Sequence, residues 1–321
     1  MVVGIHTFIG GGFGSFHEYL NTGIRQVLNC AVPVFIACSG FLLANKSLSN
    51  RNEITGFYRK QIARVYIPCL IWSLPWFALH LLGGQSLTRG IINYVFCGFS
   101  VFYFVVLIIQ YYLLLPVIQV IIRRVRVGVI LAFSMACSLV CVALVMHITA
   151  IRDIQVPLTL YAGPFPLWIV FFVLGVALAN SKSKRDYKIV YIAVGIVIAL
   201  ILQLIEAKWL LSQSSHGIGF GIKPSSFLFS VLVILLLFSK TVESAFNDKI
   251  TINNALAFLG RVSFVVYLSH TLMIVVISIL LPLWSNLIWS IRFLIIAVLD
   301  VVMVGLLYRI TPQKLKRIVG F

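Results

Sequence analysis

The stretch from Val127 to His147, VGVILAFSMACSLVCVALVMH, contains no Lys, Arg, Asp or Glu. At about 1.5 Å of rise per residue, a helix of this length spans roughly 30 Å, the hydrocarbon thickness of a bilayer. Arg123, Arg124 and Arg126 stand directly before it. Cations flanking a spanning helix favour the cytoplasmic side. The run therefore predicts a transmembrane helix that begins in the cytoplasm.

Outward from this helix the same apolar pattern recurs over 27–45, 62–82, 100–122, 165–181, 189–206, 224–239, 262–281 and 291–311, which makes nine candidate spans. A tenth apolar stretch runs from Met1 to about Phe13, too short to cross a bilayer alone. The pattern predicts an all-α polytopic membrane protein of about ten helices, the first truncated at its N-terminal end, in a single domain over residues 1–321. Composition agrees: 61% of residues are hydrophobic, 10% are charged, and mean hydropathy is +1.08. Soluble domains carry about 25% charged residues, so too little polar surface remains here to coat a water-soluble globule. The first residues lack the basic region and small-residue cleavage site of a secretory signal. Cys30, Cys38, Cys69, Cys97, Cys137 and Cys141 fall mostly in apolar runs without a C-x-x-C pair. They read as small packing residues rather than a disulfide or metal framework.

The formal net charge of +17 would suggest nucleic acid in a soluble protein. Here it follows the loops. Alternate connections hold nineteen cations: Lys46, Arg51, Arg59, Lys60, Arg64; Arg123, Arg124, Arg126; Lys182, Lys184, Arg185, Lys188; Lys240, Lys249, Arg261; and Arg309, Lys314, Lys316, Arg317. The opposite side holds six, Arg25, Arg89, Arg152, Lys208, Lys223 and Arg292. This bias predicts cytoplasmic termini, provided the first stretch crosses. The longest non-apolar connection is expected at 46–61. An irregular outer loop is expected at 207–223, with His216, Gly217, Gly219 and Gly221. No low-complexity segment or internal repeat is evident.

Polar groups at membrane depth are costly, and each is a functional candidate. They are His6, Ser39, Gln110, His270 and Asp300. His6 reads either as a general base or acyl-transfer centre, or as a packing histidine bonded to a backbone carbonyl. Ser39 either bonds its own helix or acts as a nucleophile, and neither a base nor an oxyanion hole can be placed for it. Gly40 beside it permits close helix approach. His270 alone reads first as a polar packing residue. Asp300 is either protonated or paired, for example with a histidine or arginine of a neighbouring helix. His80, His147 and His216 lie near the outer boundary, where water reaches. No H-E-x-x-H, P-loop or G-x-G-x-x-G is present, so no zinc, nucleotide-hydrolysis or dinucleotide site is indicated. Arg59, Lys60 and Arg64 at the mouth of the 62–82 span can hold phosphates or serve as a positive-inside anchor.

Taken in chain order, these pieces resemble the acyltransferase family 3 membrane proteins. Val32-Pro33-Val34-Phe35 to Ser39-Gly40-Phe41 is similar to the family's second-span motif. Arg64-Val65-Tyr66-Ile67-Pro68 with Trp72 resembles the third-span entry, and Phe102-Tyr103-Phe104 through Tyr111-Tyr112 to Pro116 the fourth span. Trp168, Phe172 and Gly175 follow, then Leu259-Gly260-Arg261-Val262-Ser263, Tyr267-Leu268 and His270.

The resemblance implies an acyl group, usually acetyl, taken from cytoplasmic acetyl-CoA. It would be delivered to a hydroxyl of a bacterial surface polysaccharide or lipid-linked glycan at the outer face of the cell membrane. The implied partners are the CoA donor, the glycan and the bilayer, with no nucleic acid and no metal. His6 matches the family's first-helix histidine, Arg59, Lys60 and Arg64 would hold the CoA phosphates, and Ser39, His270 and Asp300 stand as further candidates. Two departures stand out. The family's arginine about eleven residues before the histidine has no counterpart after Met1, and its R-x-x-R reads Gln61-Ile62-Ala63-Arg64 here. The first departure predicts about ten further residues upstream, including that arginine. A non-catalytic polysaccharide exporter or flippase is the rival reading, and it would be expected to show internal repeats and broken helices.

Overall fold

Asn50 starts the longest helix described. Its backbone is extended (φ −132°), and its side-chain oxygen accepts the Glu53 N–H at 2.9 Å. Glu53 reaches back to the Ser49 N–H, also at 2.9 Å. This exchange satisfies donors that a helix start otherwise leaves unpaired. The helix runs from Arg51 to Leu82 through Pro68 and Pro75. Most of the connection expected at 46–61 is therefore helical, and Arg59, Lys60 and Arg64 ride on a rigid element.

The computed structural model describes residues 1–99, 101–181, 188–213, 221–247 and 249–321. Its α-helices are α1 (Val2–His6), α2 (Phe16–Leu28), α3 (Ala31–Leu43), α4 (Arg51–Leu82), α5 (Leu87–Val95), α6 (Tyr103–Arg124), α7 (Val127–Met146) and α8 (Leu158–Ala162). They continue with α9 (Ile169–Asn180), α10 (Ile189–Gln213), α11 (Pro224–Leu237), α12 (Lys240–Asn247), α13 (Ile250–Leu280), α14 (Trp289–Ile310) and α15 (Gln313–Val319). Lys182, Lys184, Arg185, His216, Gly217 and Gly219 lie outside the described residues.

Among the described residues, seven helical segments are long and apolar enough to cross a membrane: Phe16–Leu43, Arg51–Leu82, Tyr103–Arg124, Val127–Ile151, Ile189–Gln213, Ile250–Leu280 and Trp289–Ile310. An eighth results if α11 and α12, bent by 51°, count as one span. Phe165–Asn180 is apolar but shorter. The expected count of about ten is not reached among the described residues. The opening stretch forms only the five-residue α1, because Gly10-Gly11-Gly12 follows and Gly10 takes a left-handed φ of +65°.

The chain divides into two compact units, each built of separate segments. One comprises Met1, Gly10–Ser47 and Leu114–Ile250. In it α3 and α9 touch backbone to backbone. A Cβ at Gly40 would overlap the Phe172 carbonyl oxygen, and one at Gly175 the Ala37 carbonyl oxygen. Lipid is as apolar as a side chain, so helices in it associate through close packing at small residues. Trp168 stacks on Phe227 at 5.5 Å.

The other unit comprises Val2–Ile9, Leu48–Leu113 and Thr251–Phe321. Val262, Val265 and Val304 form a core there with Trp72, Phe258 and Tyr308. The last residues close against it. Trp72 Nε1 donates to the Val319 carbonyl at 3.1 Å. Gly320, at φ +115°, rests against Pro68 and Val265. Phe321 meets Tyr308 edge-on at 5.2 Å.

Candidate active site

Val3, Gly4 and Thr7 put α1 in the interior of its unit, and this positions His6. Trp289 Nε1 donates to the Gly4 carbonyl at 3.1 Å, and Phe8 meets the Trp289 ring edge-on at 5.2 Å. Val3 packs with Trp284 and Ile296. The Thr7 hydroxyl donates to the Val3 carbonyl at 3.0 Å. His6 itself is half-buried. Its ring lies 5.3 Å from that of His270, centroid to centroid, at a tilt of 46°. The two histidines singled out separately in the sequence are thus neighbours.

His270 sits fully buried on α13. Its Nδ1 lies 2.7 Å from the Tyr267 carbonyl oxygen and 3.2 Å from that of Val266. A carbonyl oxygen only accepts, so Nδ1 carries a hydrogen. In the neutral ring Nε2 then holds the lone pair, and it has no hydrogen-bond partner among the described residues. Tyr267 donates to the Val101 carbonyl, and its ring packs against Phe102, Phe104 and Phe264. Motif pieces far apart in the chain meet in this wall.

The partner of Asp300 is neither a histidine nor an arginine. The Ser269 hydroxyl donates to Asp300 Oδ1 at 2.7 Å, with both residues buried. Asp300 Oδ2 and Thr271 Oγ1 join His270 Nε2 as buried polar atoms without a hydrogen-bond partner among the described residues. Buried polar atoms are nearly always paired. Such unmet capacity within two turns of α13 and the facing α14 suits a place that receives polar groups.

The other candidates lie apart from this pair. Ser39 belongs to the other unit and donates to the Phe35 carbonyl of its own helix at 3.0 Å. Gln110 Nε2 donates to the Val106 carbonyl at 3.3 Å. His80 Nε2 lies 3.2 Å from the Ser86 carbonyl oxygen. Arg59, Lys60 and Arg64 are exposed on α4, and further cations join them. Arg64 precedes Pro68 by one helical turn and Arg261 precedes Val265 by one turn, and both Pro68 and Val265 touch Gly320. The end of α15 therefore lies near both, with exposed Lys314 and Arg317, while Lys316 sits over the Tyr308 ring at 3.7 Å. In the sequence Lys314 and Arg317 read only as loop charges, and Arg261 as a loop charge within the 259–263 motif segment. Trp289 and Ser269 received no role there, since a tryptophan fits an apolar run and a serine in a helix commonly bonds its own backbone.

Helices of membrane-spanning length, with a histidine pair of which His270 is buried, define an integral membrane protein. The chain belongs to acyltransferase family 3: the family's model, described as an acyltransferase domain, matches residues 1–308. That match runs through both units and stops before α15. Comparisons with curated proteins and with solved structures gave no match.

Proposed function

We propose that the protein is a membrane O-acetyltransferase. It moves an acetyl group from acetyl-CoA to a hydroxyl of a bacterial surface polysaccharide or lipid-linked glycan, in the inner membrane, with both termini cytoplasmic. The observation that carries this reading is the meeting of His6 with His270. The acceptor oxygen attacks the thioester carbonyl carbon, the C–S bond breaks, and CoA leaves as its thiolate. His6 takes the hydroxyl proton as general base. The neighbouring His270 ring, with its Nε2 lone pair, favours the imidazolium that results. Arg59, Lys60 and Arg64, with Arg261, Lys314 and Arg317, supply positive charge for the phosphates of CoA. The run Val2-Val3-Gly4-Ile5-His6-Thr7 also resembles the first helix of the enterobacterial common antigen O-acetyltransferase, which favours a glycan acceptor.

The test is transfer of labelled acetyl from acetyl-CoA to glycan by the purified protein in detergent. His6→Ala should lower transfer by about 10²–10⁴-fold, the usual contribution of a general base, without loss of folded protein. Undiminished transfer by that variant would remove His6 from the chemistry. Glycan movement across vesicles without any acetyl transfer would favour an exporter.

A further inference from the structure

Arg25 and Lys223, read from the sequence as loop cations, are both buried, with 9% and 0% of their surfaces exposed. They belong to a polar cluster in the unit that lacks the histidine pair, formed by the end of α2, the middle of α10 and the start of α11. Lys223 Nζ donates to a terminal side-chain atom of Gln26. An ammonium can only donate, so that atom is the oxygen, which fixes the orientation of the amide. Asn29 Nδ2 donates to the same oxygen at 2.9 Å and to Gln203 Oε1 at 3.1 Å. Arg25 Nη1 donates to Asn29 Oδ1.

These bonds occupy the oxygen ends of both glutamines. Their Nε2 groups have no hydrogen-bond partner among the described residues, and both side chains are fully buried. The nearby carboxylate, Glu206, accepts the Ser225 N–H at 3.1 Å and the Ser225 hydroxyl through Oε2, capping the start of α11, while its charge also acts on Lys223. Burial lowers the Lys223 ammonium to about 7, with Glu206 opposing and Arg25 reinforcing the change. The cluster thus presents two amide donors, Gln26 Nε2 and Gln203 Nε2, that meet no acceptor among the described residues, next to two basic side chains.

We propose that this cluster is an anion-binding site for a carboxylate or phosphoryl group, whose oxygens accept from Gln26 Nε2 and Gln203 Nε2 in the field of Arg25 and Lys223. The group comes from an acidic sugar or from the phosphate of a lipid-linked one. As an acceptor-binding site it rests on the transferase reading; as an anion site it does not. Buried water is the competing occupant. Water donates as well as accepts and would give the site no preference for charge.

The experiment follows thermal unfolding of the purified full chain in detergent against sodium glucuronate, inorganic phosphate and uncharged glucose, with ionic strength held constant by chloride. A ligand that binds only the folded state raises the midpoint in a saturable way. Glucuronate or phosphate should do so and glucose should not. Gln203→Met, which removes one donor, should raise the half-saturating concentration about tenfold, roughly one hydrogen bond's worth. Gln203→Glu should abolish the response. His6→Ala protein should respond like the wild type, so a failed transferase reading would leave this result standing. Glucuronate acting alone assigns the acidic sugar, and phosphate acting alone assigns the phosphorylated carrier. No charge-dependent shift, or equal shifts in wild type and both variants, would overturn the proposal.

Discussion

The hydrogen on His270 Nδ1, held by the Tyr267 carbonyl, decides which nitrogen is left to act beside His6. The neighbouring Ser269 hydroxyl lies within hydrogen-bond distance of both Asp300 Oδ1 and the Val265 carbonyl oxygen, and its pairing with Asp300 can be dissected. Ser269→Ala leaves Asp300 Oδ1 without that partner, an uncompensated buried acceptor that costs about 1–3 kcal/mol. Adding Asp300→Leu replaces both partners by apolar groups, which is often nearly neutral. The single variant should therefore unfold at lower temperature and the double variant recover much of the loss. A double variant less stable than the single one would give Asp300 a further role. His6, His270 and Asp300 were each legible in the sequence, because a polar residue in an apolar run is conspicuous. Their partners were not, because hydropathy says nothing of which helices are neighbours. Asp300 shows the limit: it read as either protonated or paired, for example with a histidine or arginine, and a serine one residue from His270 supplied the hydrogen bond.

Among the elements, α4 shows what the hydropathy pattern left out. Its apolar part was found, but its first turns were read as a loop because Arg51, Asn52, Glu53, Arg59 and Lys60 are polar. The Asn50-x-x-Glu53 cap was the available signal, and it extends the helix into water. On that extension Lys60 and Arg64 are four residues apart and share a face. Changing Arg59 and Arg64 together to Ala should raise the KM for acetyl-CoA about tenfold or more, since each charge-assisted bond to a phosphate contributes substantially. Unchanged kinetics would return both residues to a topological role. The α3–α9 contact makes a different demand. A side chain at Gly175 meets the Ala37 carbonyl oxygen, a backbone atom that cannot swing aside. Gly175→Val should cost at least the usual 1–3 kcal/mol of overpacking, seen as loss of protein that remains monodisperse on warming. Valine tolerated there would mean that α3 and α9 can separate without harm.

For the whole molecule, the apolar runs made the membrane class legible, but nothing in the sequence announced two units. Each is assembled from segments distant in the chain, and although the Gly10-Gly11-Gly12 run stands at one boundary, the breaks near Ser47, Leu113 and Ile250 carry no such mark. Orientation rests on the distribution of cations between loops. Reporter fusions after Arg126, Arg185 and Lys316 should sit in the cytoplasm, and fusions near Arg152 and His216 outside. One reversed reporter would undo the alternation. The fusion after Lys316 carries a complication, because the residues that follow it are part of the packing. Val319 is bonded to Trp72, Gly320 fills the space between Pro68 and Val265, and Phe321 lies on Tyr308. An affinity handle joined directly to the half-buried Phe321 would start right beside that cluster. A purification scheme for this protein should therefore place its handle beyond a long flexible spacer, or recover the chain by its detergent-exposed face, rather than pull on residues that hold α4 and α13 together.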